Sequence, residues 1–302
     1  MSCYCPLEGY RKDPSKNGGV GGFTPSRRLG YIDQPLTVPC GQCMGCRLEK
    51  SRQWAVRVMH EASCHDQNSF VTLTYDDDHL PYQGQLLRSD IQKFHKRLRK
   101  KVPNVRFFYC GEYGEETERP HFHTILFGWE PDDKELAGKS KNGENLYDSE
   151  KLSKLWKKGH SNFGSVTFES AAYVSRYSTK KVTGKLADTH YNRHCPDTGD
   201  YVLNQEFLGM SLKPGIGAEW LKKYGRDSYE KDQIIMRGIP MKPPRYYDNR
   251  MELTDPTLWR STHLKRKADI LKRTPDDREK SFNLYNARKT IAEQKLGKRD
   301  LQ

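Results

Sequence analysis

Two strand-like runs lie close together in this chain, VRFFYCGEY at residues 105–113 and HFHTILFG at residues 121–128, with a polar stretch through Gly114 to Pro120 between them. Short runs rich in aromatic and β-branched residues read as strands, and so brief a connection predicts a hairpin. Side chains alternate along a strand, so His121, His123, Ile125 and Phe127 share one face. On the partner strand Phe108, Cys110 and Glu112 share one, with Glu112 at the strand end, where the hairpin brings its carboxylate beside both imidazoles. Two imidazoles and one carboxylate, with the other positions left to water and substrate, form an open catalytic metal site rather than a closed structural one. Magnesium prefers oxygen, so the mixed donor set favours manganese. The plain alternative for H-x-H is a pair of polar residues on a half-wet sheet face.

The elements around this hairpin follow a readable order. A helix begins near Cys46, with Leu48, Ala55, Val58, Met59 and Ala62 at helical spacing. Ser69 to Tyr75, SFVTLTY, is a strand. SDIQKFHKRLRKKVP is a second helix, with Ser89 and Gln92 as a capping box, Ile91, Phe94 and Leu98 as the inner stripe, and Pro103 as the stop. A polar insert at residues 130–148 and a short helix around SEKLSKLW come after the hairpin. Val166 to Phe168 then reads as a strand, with Ser170 capping a helix that runs to about Val182 before Gly184. This order fits an α+β fold: a central antiparallel sheet with helices mainly on one face, in the ferredoxin-like manner, and the other face free for a substrate.

That last helix carries YVSRYSTKK. Tyr173 and Tyr177 are four residues apart and Lys180 three further on, so all three fall on one helix face, the hydroxyls about one turn apart. Two tyrosines at this spacing also serve as ordinary core contacts with wet tips. A lysine on the same face is poor core chemistry, however, and a cation or metal near a phenol makes it a better nucleophile.

Eight cysteines in a chain without the apolar core of a signal peptide argue for metal or thiol chemistry rather than a disulfide framework. Cys40, Cys43 and Cys46 form CGQCMGC, two C-x2-C steps with glycines easing the turns, and Cys3 or Cys5 in CYCP supplies a fourth ligand for tetrahedral zinc. Three reduced thiols at a helix start, or an iron-sulfur cluster, are the alternatives. The chain then divides into a Cys-rich arm at residues 1–46, a main domain at 47–245 and a basic, helix-prone tail at 246–302, the last reading as an auxiliary DNA-binding segment.

With 52 Lys and Arg against 39 Asp and Glu, the formal charge is +13, which favours a polyanionic partner. Nucleic acid fits better than an anionic membrane, because no tryptophan-rich amphipathic basic helix stands out and no run is long and apolar enough to span a bilayer. The chain is expected to stay in the cell that makes it.

FVTLTY, RPHFHTILFG with Glu112 upstream, and YVSRYSTK resemble the three motifs of HUH endonucleases that initiate rolling-circle replication, in the order replication initiators use. The blocks PCGQCMGCRLEKSRQWAVRVMHEA, YCGEYGEETERPHFH, TFESAAYVSRY and PGIGAEW are similar to the replication initiators of gokushoviruses, within the Microviridae; this resemblance covers roughly residues 1 to 250. It implies His121, His123 and Glu112 as ligands of catalytic Mn2+ or Mg2+, Tyr173 and Tyr177 as nucleophiles, and Lys180 as a phosphate partner. The implied chemistry is nicking and joining of single-stranded origin DNA of the viral genome, in the host bacterial cytoplasm, through a 5′-phosphotyrosine. Tyr177 is the expected first nucleophile, because Tyr177 to Lys180 reproduces the Y-x-x-K spacing of single-tyrosine initiators. No phosphate-binding loop of the Walker type is present, so a host helicase and DNA polymerase are the expected partners. The competing readings are a non-catalytic nucleic-acid-binding module and a one-tyrosine HUH transposase.

Overall fold

The computed structural model describes residues 3–16, 22–114, 117–140, 143–180, 185–195 and 199–272, with residues 284, 286, 287, 290, 291 and 294 beyond; the side chains of residues 177–180, 185, 186, 188, 270 and 271 fall outside that description. The chain divides into two units, residues 1–50 with 263–302, and residues 51–262. In the first, β1 (Leu7–Lys12), β2 (Phe23–Thr24) and β3 (Gly30–Val38) form an antiparallel sheet in the order β2-β1-β3. The helix α1 (Met44–Ala62) then leads toward β4 (Asn68–Tyr75).

The second unit is built on β4, α2 (Arg88–Lys101), β5 (Arg106–Tyr113), β6 (Pro120–Phe127), β7 (Glu135–Lys139), β8 (Asn145–Asp148), α3 (Glu150–Trp156), β9 (Gly159–Gly164) and α4 (Phe168–Lys180). It continues through α5 (Lys185–Tyr191), β10 (Asn192–Cys195), β11 (Gly199–Val202), β12 (Phe207–Met210), α6 (Ala218–Glu230), β13 (Ile234–Met236), β14 (Ile239–Met241), α7 (Arg245–Thr254) and α8 (Pro256–Leu271). Seven strands make one antiparallel sheet in the order β12-β5-β6-β4-β9-β8-β7. The expected hairpin is β5 and β6, and β4 lies against the other side of β6.

Helices cover both faces of this sheet, not mainly one. On one face Val71, Leu73, Phe107, Tyr109, Phe122 and Leu126 pack with Ile91, Phe94 and Leu98 of α2 and Leu152, Leu155 and Trp156 of α3. On the other, Phe108, Cys110, Ile125 and Phe127 pack with Ala55, Val58 and Ala62 of α1 and Ala171 and Val174 of α4. The cause lies in β5 and β6 themselves, which are apolar at both alternating sets of positions, so each face must exclude water. No whole face is therefore left for a substrate.

Several local expectations shift for tertiary reasons. Ser89 is not the cap of α2: the helix starts at Arg88, with Leu87 as N-cap and no side-chain cap. Its first turn is held instead from outside, where the Tyr75 hydroxyl donates to buried Asp90 at 2.9 Å. Val166 to Phe168 is not a strand; the strand is β9, Gly159–Gly164, whose sequence GHSNFG carries almost no β-propensity and gains its place by pairing along β4. Thr167 rather than Ser170 opens α4, the two exchanging backbone N–H to hydroxyl bonds of 2.9 and 3.1 Å. The expected end of that helix at Val182 and Gly184 lies outside the described residues. Within the polar insert, β7 and β8 extend the sheet edge. After Pro243 the chain is not separated at once, since Tyr247 and Met251 are buried with Leu221 and Tyr229.

Two buried histidines tie stability to pH. His60 stacks on Trp220 at 3.5 Å between ring centroids, and His95 stacks on Phe107 at 3.9 Å. Burial lowers each to about 3. An unfolded chain binds these protons near pH 6.5 whereas the folded one refuses them until about pH 3, so the stability they leave intact above pH 6.5 is lost as pH falls. The expected slope is about 1.4 kcal/mol per pH unit for each histidine. Denaturant midpoints at pH 7, 6 and 5 for the wild type and His95→Gln check this: the variant should show the shallower fall, and equal slopes would contradict the assignment.

Candidate metal centre and active site

The register of the hairpin sets Glu112 opposite His121 and Cys110 opposite His123. From the other side of β6, Thr72 faces His123 and Thr74 faces His121. The three expected ligands therefore converge. Glu112 Oε1 lies 3.1 Å from His121 Nε2 and 2.8 Å from His123 Nε2, and the three ligand atoms fall within 4.8 Å of one another. Burial works to raise the Glu112 carboxyl, but the hydrogen bonds from His121 and His123 outweigh it and hold the group below its ordinary range. An acceptor-only carboxylate is what a cation site needs.

The outer partners fit a metal as well. His121 Nδ1 meets the Arg119 carbonyl at 3.0 Å, an acceptor that fixes the proton on Nδ1 and turns the Nε2 lone pair toward Glu112. His123 Nδ1 meets the Thr72 hydroxyl at 3.1 Å, with its ring stacked on Phe70 at 5.5 Å. The His121 side chain keeps 17% of its surface exposed while Glu112 keeps 4%, so the group is buried on one side and open on the other. Nitrogen and oxygen donors with an open side suit a divalent cation that retains free positions.

Over this group stands Tyr173 of α4. Its hydroxyl donates to Glu112 Oε1 at 3.3 Å, and its ring meets that of His123 edge-on at 5.1 Å. The Arg176 guanidinium lies over the Tyr173 ring at 5.8 Å. Tyr177 and Lys180 are in α4, but their side chains lie outside the described residues. Thr72, Phe70 and Arg176 are site neighbours that motif spacing did not single out. Each had a signal: Thr72 and Phe70 occupy alternate positions on the strand beside the H-x-H, and Arg176 is three residues beyond Tyr173 on its helix.

The other cysteine-based group forms in the N-terminal unit. Cys3, Cys40, Cys43 and Cys46 bring their sulfurs within 4.8 Å of one another, with Cys43 to Cys3 at 3.8 Å and Cys40 to Cys46 at 4.0 Å. Four thiolates at tetrahedral corners, each about 2.3 Å from zinc, stand about 3.8 Å apart, so the spacing fits. Cys5 is exposed and not part of the group. Gly41, at φ +78, makes the left-handed turn of the first C-x2-C step. Backbone N–H groups of Cys40, Tyr4 and Cys43 donate to Cys3, Cys43 and Cys40 sulfur at 3.2, 3.2 and 3.3 Å, an arrangement that stabilises negative sulfur. Burial opposes ionisation of Cys43, but the Tyr4 N–H and neighbouring groups lower it to about 6, while burial and the adjacent thiols push Cys46 up to about 12.

A family described as replication-associated protein ORF2 matches residues 68–182, the span holding β4, the hairpin and α4. Replication-associated protein VP4 of Bdellovibrio phage phiMH2K is 34% identical over 244 residues, which cover 78% of this chain and 73% of that protein. The chain belongs to this family of phage replication-associated proteins. Replication-associated protein ORF2 of Spiroplasma virus 4 is 33% identical, covering 83% of this chain and 81% of its own. Replication-associated protein ORF4 of Chlamydia phage 1 is 32% identical, over 70% of this chain and 52% of its own. The first of these phages is a microvirus and the last a gokushovirus, so the resemblance drawn from the motifs is borne out at the level of the family. No solved structure gives a significant match. Among the described residues no helix is long and apolar enough to cross a membrane.

Proposed function

We propose that this protein initiates rolling-circle replication of a small circular single-stranded DNA genome by cutting one strand at the origin and keeping its 5′ end on tyrosine. The observation that carries this is the Tyr173 hydroxyl, 3.3 Å from Glu112 in a group where one carboxylate and two imidazoles already converge. A divalent cation held by Glu112, His121 and His123 would supply positive charge against a nonbridging phosphate oxygen. The chain's own residues do the rest. The phenol oxygen forms a bond to phosphorus, its proton passing toward Glu112, and the bond from phosphorus to the 3′ oxygen breaks. That oxygen gains a proton and leaves as the primer end. Arg176, over the Tyr173 ring, stabilises charge developing on the phenol. Because one ester replaces another, a later 3′ hydroxyl can reverse the step without ATP.

Tyr177 follows one turn later on α4, and Lys180 three residues beyond it. With two tyrosines, one carries the 5′ end while the other attacks the regenerated origin, so a round ends where it began. Origin DNA of the viral genome is the substrate, and a host helicase and polymerase supply unwinding and synthesis in the host cytoplasm. The test is incubation with single-stranded origin DNA and manganese, reading covalent adduct on a denaturing gel. The double change Tyr173→Phe with Tyr177→Phe is expected to abolish adduct. Loss from one single change alone would mark a one-tyrosine enzyme, and no adduct from the wild type would leave a non-catalytic binding module.

A further inference from the structure

Beside α1 and α7, in the larger unit, lies a cavity of about 540 Å3 that the strand-cutting chemistry does not use. Three cations line it, Arg57, Lys213 and Arg250, together with Trp54 and Tyr246, and none of its described lining residues is acidic. Lys213 and Arg250 are exposed, whereas Arg57 is buried. The Arg57 guanidinium is held 4.0 Å from the Trp54 ring centre and 3.8 Å from that of Tyr246, and its Nε donates to the Ile216 carbonyl at 3.0 Å. No ion pair among the described residues includes Arg57. Burial lowers it to about 10, as expected of a charge that lacks a nearby anion.

As a mere brace, Arg57 would account for the two stacked rings and the carbonyl bond. It would not account for two further cations turned to the same hollow, nor for a volume in the range of ligand pockets. The position is informative too. Trp54 packs on Phe108 at 5.1 Å between ring centres, and Phe108 shares its strand and face with Glu112 four residues on, about 13 Å away. One DNA strand can reach both places.

We propose that this cavity is a DNA subsite separate from the metal centre, taking a nucleotide unit of single-stranded DNA with its phosphate at Arg57, Lys213 and Arg250 and its base against Trp54 or Tyr246. It requires that the chain handle DNA, as the proposed function holds, but not that it cut DNA. Phosphate supplies the anion the cavity lacks, and aromatic faces accept any base.

The full chain is assayed without divalent metal, so cutting plays no part. A thymidine oligonucleotide carrying 5-iodouracil should cross-link on irradiation to Trp54 or Tyr246, as located by mass spectrometry. Changing Lys213→Ala and Arg250→Ala together, both on the surface, should weaken binding about tenfold and reduce the salt slope of log K by about 0.7 for each phosphate that the variant no longer neutralises. Cross-links confined to other residues, with affinity and slope unchanged in the double variant, would overturn the subsite. Tighter binding of the corresponding oligoribonucleotide, cross-linked to the same residues, would overturn DNA as its occupant. Failure to form adduct in manganese, with these cross-links present, would count against the strand-cutting reading alone.

Discussion

Changing His123 to alanine should lower the rate of covalent adduct formation about a hundredfold or more while leaving most of the affinity for single-stranded DNA. The rate falls because a ligand at the reacting phosphate is removed, and single electrostatic contacts of that kind are worth about a hundredfold to a thousandfold. The affinity stays because it resides in a chain of formal charge +13, spread over many phosphate contacts. His123 is buried, and its loss also takes a partner from the buried Glu112 carboxylate, at a stability cost of about 1–3 kcal/mol. His121→Ala separates the two effects. His121 is the more exposed ligand, so its removal should cost the same chemistry with a smaller shift in denaturant midpoint. Adduct formed by either variant at the wild-type rate in limiting metal would remove these residues from the site.

The second large effect is expected at the cysteines. Purified protein should carry one structural zinc in addition to whatever the histidine site holds, and Cys43→Ser should lose it whereas Cys5→Ser should keep it. Structural zinc contributes on the order of 10 kcal/mol to small domains that cannot fold without it. Here the surrounding strands are poor in core: in β1 and β3 only Gly30 is buried, and Leu7, Ile32 and Leu36 are exposed. Elemental analysis gives the stoichiometry, and limited proteolysis before and after a strong chelator shows whether residues 3–46 lose protection. Zinc retained by Cys43→Ser, or lost by Cys5→Ser, would change the ligand set.

The sequence alone determined whatever depends on local spacing. Alternation in VRFFYCGEY and HFHTILFG placed Glu112, His121 and His123 on one face before any partner was known, because the side-chain period of a strand is two. Helical spacing likewise put Tyr173, Tyr177 and Lys180 at positions along one face of α4. Tertiary structure decided what depends on competition between distant segments. Strand β9, GHSNFG, exists because β4 offers it a ladder of hydrogen bonds, and no propensity in its own residues announces it. The start of α2 was settled by Tyr75 bonding Asp90 from across the core, against the local claim of Ser89. Cys3 rather than Cys5 reached the cysteine group because the choice turns on how the first strand sheet brings residue 3 back to residue 40, a chain distance that spacing rules do not span. Helices on both sheet faces followed from apolar residues at both alternating positions of β5 and β6, since water must be excluded from each side of a strand that offers it none of the usual polar partners.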